Sequence, residues 1–246
     1  QMSREAQYFY GKLSAELGQE REAVTALSDP EIPAQHRKEA DDIIYHLLSN
    51  STDYEFVLQY TDQLKSPEDR LKPVHQRAAI NRAMQWYRDG NPDQAYATLE
   101  RSERYKTDRN LNAVAQFWKA QILHEKEQYP TSIPAFEKYF EMSNGLNGLP
   151  EESRPFMAHY SQGYNYLALK NYKDAERSFK NCITGFNLNK GSIKNKQLTD
   201  QIFPDALMRT GDCLFKNRNY AEALQFYKQA IATRSGNYVY AKYQKA

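Results

Sequence analysis

The chain has 246 residues, 40% of them hydrophobic and 26% charged, with 33 basic against 31 acidic side chains and a formal net charge of +2. No tract is strongly basic, which argues against binding to a phosphate backbone, and no apolar run approaches the ~18–20 residues of a membrane span. An aromatic content of 13%, with 19 tyrosines, excludes a disordered chain, since such chains are poor in aromatics.

In chain order the sequence reads as helical hairpins. The first runs from residue 3 to 30, its short second helix stopped by Ser28-Asp29-Pro30. No signal peptide is visible in Ser3–Leu17, which has helical periodicity but no apolar central region. The second hairpin, 33–64, shows apolar stripes at Ile43, Ile44, Leu47 and Leu48 and then at Tyr54, Val57, Leu58 and Leu64. In the third, 66–106, Ser66-Pro67-Glu68-Asp69 reads as a helix start that Pro73 restarts or kinks. Asn91-Pro92-Asp93-Gln94 opens its second helix, with Asn91 as N-cap and Gln94 as the capping-box partner.

A fourth hairpin spans 110–142 and is followed by the clearest loop, 143–150; a fifth spans 151–186. Residues 185–203, with Lys190, Lys194 and Lys196, lengthen the register before the sixth hairpin, 204–235. They read either as an extended helix end with a solvated loop or as an arm that touches a ligand or neighbouring subunit. Residues 238–246 begin a seventh unit, with Ala246 at its small-residue position. Gln1 precedes Met2 and the last residues stop within a helical pattern, so we expect a piece of a longer protein.

One ruler links these units. Starting from Gly11, Ala83, Ala120, Gly163 and Gly211, a step of twelve residues gives Ala23, Ala95, Ser132, Ala175 and Ala223. A step of sixteen gives Leu27, Leu99, Phe136, Phe179 and Tyr227. Antiparallel helices approach closely only where facing residues are small, with bulky neighbours filling the flanks. The second hairpin lacks the pair and is placed by periodicity alone.

Leu207, Gly211, Leu214, Tyr220, Ala223, Tyr227 and Ala230 together resemble the tetratricopeptide repeat, and Gly163, Tyr166, Tyr172, Ala175, Phe179 and Cys182 repeat much of that pattern. Tyr139, at a position usually small, and the missing proline after Ala230 depart from it. The resemblance implies an all-α fold, a right-handed superhelical solenoid of stacked antiparallel hairpins, about six plus the start of a seventh, in one array over 1–246. It also implies that the first helices line a concave face that holds peptides. By repeat phase the inward residues are Tyr8, Lys12, Arg77, Ile80, Met84, Tyr87, Phe117, Gln121, His124, Tyr160, Tyr164, Met208 and Asp212. They read as an aromatic- and methionine-rich contact strip with few charges, or in part as helix packing. Tyr8, Phe117 and Tyr160 stand where a carboxylate-clamping member would carry polar groups, which argues against that subclass.

Catalytic chemistry is not legible. The histidines, His36, His46, His75, His124 and His159, do not pair at helical spacing, and Asp42 with His46 is too small a set for a metal. Asp41-Asp42 and Glu151-Glu152 are adjacent and point in different directions. There is no nucleophile elbow, Walker loop or dinucleotide fingerprint. Cys182 and Cys213 occupy small apolar positions and read as buried free thiols, with a disulfide or a reactive thiol as the alternatives. No enzyme activity, metal or cofactor is therefore expected. The expected function is a scaffold for proteins or peptides, self-association included, without nucleic acid. Irregular, tyrosine-rich repeats resemble bacterial envelope arrays of this family, including Tol-Pal-associated ones, which implies a periplasmic or outer-membrane-associated place, with the cytoplasm as alternative. The rival readings are a structural spacer and a regulatory domain of a larger enzyme.

Overall fold

A computed structural model describes residues 3–233 and 242–244, all helix, turn or loop. The chain divides into two compact units, residues 1–108 and 109–246. In the first unit α1 (Arg4–Glu16) pairs with α2 (Glu20–Leu27), α3 (Ala34–Asn50) precedes α4 (Tyr54–Gln63), and α5 (Leu71–Arg88) pairs with α6 (Pro92–Ser102). The second unit holds α7 (Arg109–Glu125) with α8 (Tyr129–Ser143), α9 (Pro155–Ala168) with α10 (Tyr172–Asn189), and α11 (Phe203–Lys216) with α12 (Tyr220–Ala232).

The small-residue ruler has a direct physical basis. A Cβ added to Gly211 would lie 2.6 Å from Tyr227 Cε1, and one on Gly163 2.7 Å from Phe179 Cε1. The bulky residue sixteen positions on therefore lies over the small one itself and does not merely flank it. Where the ruler fails, so does the close approach: α3 and α4 keep no contact comparable to the other hairpins. Ile44, Leu48, Val57 and Leu58 instead join Tyr8, Leu27, Val74 and Ala79 in one core cluster.

The turn closing each indexed hairpin recurs seven residues after the small residue. Gly18 and Gly90 have positive φ there, and so do Glu127, Lys170 and Arg218. Each is followed by an N–H that reaches back five residues, as Asn219 N–H does to the Leu214 carbonyl at 2.8 Å. This is the Schellman closure, which satisfies carbonyls that the helix end leaves open.

Some local expectations differ. α5 starts at Leu71, after a turn in which Leu71 N–H bonds the Glu68 carbonyl, so Ser66-Pro67 does not open it. Pro73 lies in the first turn, where a missing N–H costs nothing. Asn91 makes no side-chain cap; its amide turns back to the Asp89 carbonyl at 3.2 Å. Asn171 and Asn219 do cap, accepting from Asp174 N–H and Glu222 N–H. Tyr139 is fully buried because its hydroxyl donates to the Ser153 carbonyl, on a 3₁₀ turn (Glu151–Ser153) that the preceding loop brings in.

The lengthened register is packed rather than only solvated. α10 continues to Asn189, then a 3₁₀ turn (Lys190–Ser192) and a π-helical turn (Leu198–Ile202) lead into α11. Leu198, Phe186 and Phe156 form a small core cluster. The Glu151 carboxylate accepts the Lys194 and Asn195 N–H groups, both at 2.9 Å, and is held below the usual carboxylate range by these bonds. Of the seventh unit only 242–244 is described, as helix; Ala246 lies outside the described residues.

Candidate functional site

The candidate strip runs along the first helices, so each unit is read for how α1, α3 and α5, or α7, α9 and α11, meet one another. In the second unit they meet through polar bonds. Ser161 Oγ donates to Gln121 Oε1 at 2.7 Å, and His124 Nδ1 lies 2.6 Å from Asn165 Oδ1. Asn165 Nδ2 donates to Ser132 Oγ at 2.8 Å. From α9, the hydroxyls of Tyr160 (2.9 Å) and Tyr164 both donate to Asp205 Oδ2 on α11. Arg209 Nε donates to Tyr164 Oη at 3.0 Å and Nη1 to Asp212 Oδ2 at 3.0 Å. Tyr227 Oη donates to Asp212 Oδ1 at 2.9 Å.

Burial and the Asp205 charge push Tyr164 up to about 12 and raise Tyr160 further, so both phenols stay neutral donors at ordinary pH. Burial alone would lower the Arg209 pKa, but Tyr164 and Asp205 outweigh it and raise it, keeping the cation fixed.

This corrects the strip. Phe117 and Met208 are each 2% exposed, and Phe117 packs edge-on against Phe136 and Tyr139, so neither offers a ligand surface. Tyr160 and Tyr164 are half-buried with their hydroxyls committed to Asp205. Gln121, His124 and Asp212 bridge helices within their unit. Asp205 and Arg209, which organise the network, are absent from the sequence-derived set; a buried Asp four residues before an Arg on an apolar helix face is the signal that could have found them.

The first unit differs. Tyr8, 2% exposed, stacks on His36 with ring centroids 4.1 Å apart, and Ile80 is buried. Lys12 Nζ reaches Glu39 Oε1 at 2.6 Å, and Arg77 Nη2 donates to the Ser49 carbonyl at 2.8 Å. Met84 and Tyr87 are half-buried. Between α1 and α3 lies an open cleft of about 440 Å³ with Lys12, Ala15 and Glu16 on one wall and residues of α3, among them Ile43 and Leu47, on the other. Only Lys12 of this cleft belongs to the sequence-derived set, because α3 lacks the small-residue landmark that sets the phase. In the second unit a cleft of about 280 Å³ is bounded by Leu167, Arg209, Asp212, Phe215 and Tyr227, among others. Phe9, Leu13 and Leu17 form a further exposed stripe along α1.

Among the described residues, no group of three or more His, Cys, Asp or Glu is placed to hold a metal, and no helix is long and apolar enough to cross a membrane. Cys182 and Cys213 are buried free thiols; burial raises Cys182 and pushes Cys213 up to about 12.

The hairpin of α11 with α12 is the part of the chain that a family pattern matches. Residues 204–237 match the tetratricopeptide repeat. No curated protein matches the chain significantly in sequence. Among solved structures the chain is similar to BtubC (BKLC) from P. vanneervenii, at 14% identity over 95% of this chain and 92% of that one, with a TM-score of 0.59. It is also similar to the nearly identical TPR-like repeats of a Podosopora anserina protein named for the kinesin light chain. That likeness has 14% identity, covers 98% of this chain and 96% of the other, and gives a TM-score of 0.51. At such identities these likenesses speak for the fold: an all-α array of tetratricopeptide-like hairpins.

Proposed function

We propose that the chain is a non-catalytic scaffold that binds proteins or peptides on the exposed faces of its first helices. The observation that carries this reading is the open cleft between α1 and α3, where half-buried Ala15, Ile43 and Leu47 stay accessible beneath a charged rim. Accessible apolar floors with polar rims are the usual anatomy of a contact site. The tetratricopeptide match and the fold support it as well. A place in a cell-envelope assembly is part of the proposal and rests on the irregular, tyrosine-rich repeats.

The test is panning of a random peptide library against the whole chain, followed by hydrogen-exchange footprinting of the enriched binders. Protection on the first helices is expected; no enriched binder, or protection confined to second helices, overturns the reading. One observation favours self-association as a second reading. Phe9, Leu13 and Leu17 are 56%, 53% and 66% exposed along one stripe of α1. Sedimentation of the chain with Leu13→Lys decides it: a wild-type oligomer that the variant dissolves supports this reading, and a monomeric wild type removes it.

A further inference from the structure

One wall position of the cleft between α1 and α3 is smaller than its counterparts in the other indexed hairpins. Four residues after the indexed small residue, the other indexed hairpins carry Tyr87, His124, Leu167 and Phe215; α1 carries Ala15. The missing bulk leaves Ile43 and Leu47, one turn apart on α3, as an accessible apolar floor. The cleft of about 440 Å³ has room for a leucine-sized side chain from a partner.

Its rim holds Lys12 against Glu16, Glu39 and Asp42. Lys12 is engaged by Glu39 at 2.6 Å, and Asp42 by Arg70 at 2.5 Å. Glu16, exposed at the end of α1, feels the Lys12 charge one helical turn away but is in no hydrogen bond or ion pair among the described residues. An apolar side chain seated on the floor thus has a carboxylate-rich rim beside it, with one carboxylate outside any ion pair. Charge complementarity of this kind selects partners and speeds their encounter.

Resting on the reading of the first helices as a binding surface, we propose that this cleft takes an extended peptide segment in which a lysine or arginine adjoins a leucine-sized apolar side chain. The apolar side chain fills the space left by Ala15, over Ile43 and Leu47. The cation lies against Glu16, the rim carboxylate that no ion pair holds.

Three fluorescein-labelled heptapeptides test it by anisotropy against the whole chain: Gly-Ser-Leu-Lys-Leu-Ser-Gly, the same with Glu for Lys, and the same with Ser for both Leu. The first binds at least about tenfold tighter than either other, because each lost feature removes about 1.4 kcal/mol or more. Glu16→Lys, on an exposed side chain, weakens it at least about fivefold and reduces its salt dependence; Ala15→Phe fills the floor and abolishes binding. Far-UV circular dichroism verifies the fold of both variants, and Glu16→Lys alone suffices if Ala15→Phe misfolds. Equal or tighter binding of the acidic peptide, no binding of the basic one, or indifference to Glu16→Lys overturns the inference. If library peptides still protect first helices elsewhere, the broader scaffold reading survives that result; if no library peptide binds, both fall.

Discussion

The two units tie their first helices together by different means. In the first, the links are ion pairs open to solvent, such as Lys12–Glu39, whose side chains are 40% and 50% exposed. In the second, they are tyrosine–carboxylate and amide–hydroxyl bonds, with Asp205 only 8% exposed. A solvated ion pair exchanges one set of good partners for another and contributes little. A buried carboxylate depends wholly on its protein donors. The same repeat phase therefore yields an adaptable, accessible face in one unit and a rigid seam in the other. This is why the binding proposal lies on α1 and α3, and not on the tyrosines of α9.

The largest expected effect breaks the seam. Asp205→Ala leaves the Tyr160 and Tyr164 phenols without their acceptor and takes from Arg209 one of its two carboxylates, and should destabilise by about 3–5 kcal/mol in urea unfolding. Glu39→Ala, its solvated counterpart, should leave the unfolding midpoint unchanged within error. A comparable loss at both sites would show that burial does not separate the units.

Next in size is a pH effect on two histidines whose ring nitrogens are withdrawn from water. His159 stacks on Phe140 with ring centroids 4.1 Å apart, its buried Nδ1 has no hydrogen-bond partner, and burial lowers its pKa to about 4. The unfolded value is about 6.5, so the fold favours the neutral ring. Its full contribution is present above pH 6.5 and is lost as pH falls toward 4, by up to about 3 kcal/mol. His159→Phe should flatten that part of the stability–pH curve. His75 in the first unit is fully buried and its pKa is lowered too, yet it meets Thr61 Oγ1 at 2.9 Å and the Arg101 carbonyl at 3.3 Å. His75→Phe should therefore cost stability at neutral pH where His159→Phe does not.

Smaller effects sharpen the helix-packing contrast. Gly211→Ala drives a methyl against the Tyr227 ring and should cost about 1–3 kcal/mol. At Gly11 the added methyl would meet Leu27 Cγ at 2.7 Å, and a leucine can rotate where a ring held by Asp212 cannot, so Gly11→Ala should cost less. Smallest and opposite in sign, Arg218→Gly should stabilise by about 1 kcal/mol, because Arg218 sits at φ 64° where Gly18 and Gly90 relieve the same closure in the first unit. Thermal melts of the single variants would order these three.

Much of the fold was legible because close helix packing demands small residues at fixed steps, and Gly163, Gly211 and their partners sit at the required positions. The turn ruler seven residues on was also present, but Glu127, Lys170 and Arg218 hid it by not being glycine. The candidate strip was less legible. Helical phase says which residues share a face, but not whether the next helix covers it; Phe117 and Met208 are covered, Arg77 is not. The cleft by Ala15 was missed because α3 carries no landmark and because an absent side chain leaves no pattern to read.

By itself the sequence determined the helices, the pairing into hairpins of those that carry the small-residue ruler and the small-over-bulky contact at each indexed crossing, since these depend on spacings within about twenty residues. Only the tertiary structure decided which polar groups lose water. Tyr160 and Asp205 stand 45 residues apart, and their union depends on how α9 and α11 dock. Docking likewise packed 185–203 onto Phe156 and left the cleft between α1 and α3 open. Desolvation and empty space belong to the assembled surfaces of several helices, and no single helix encodes them.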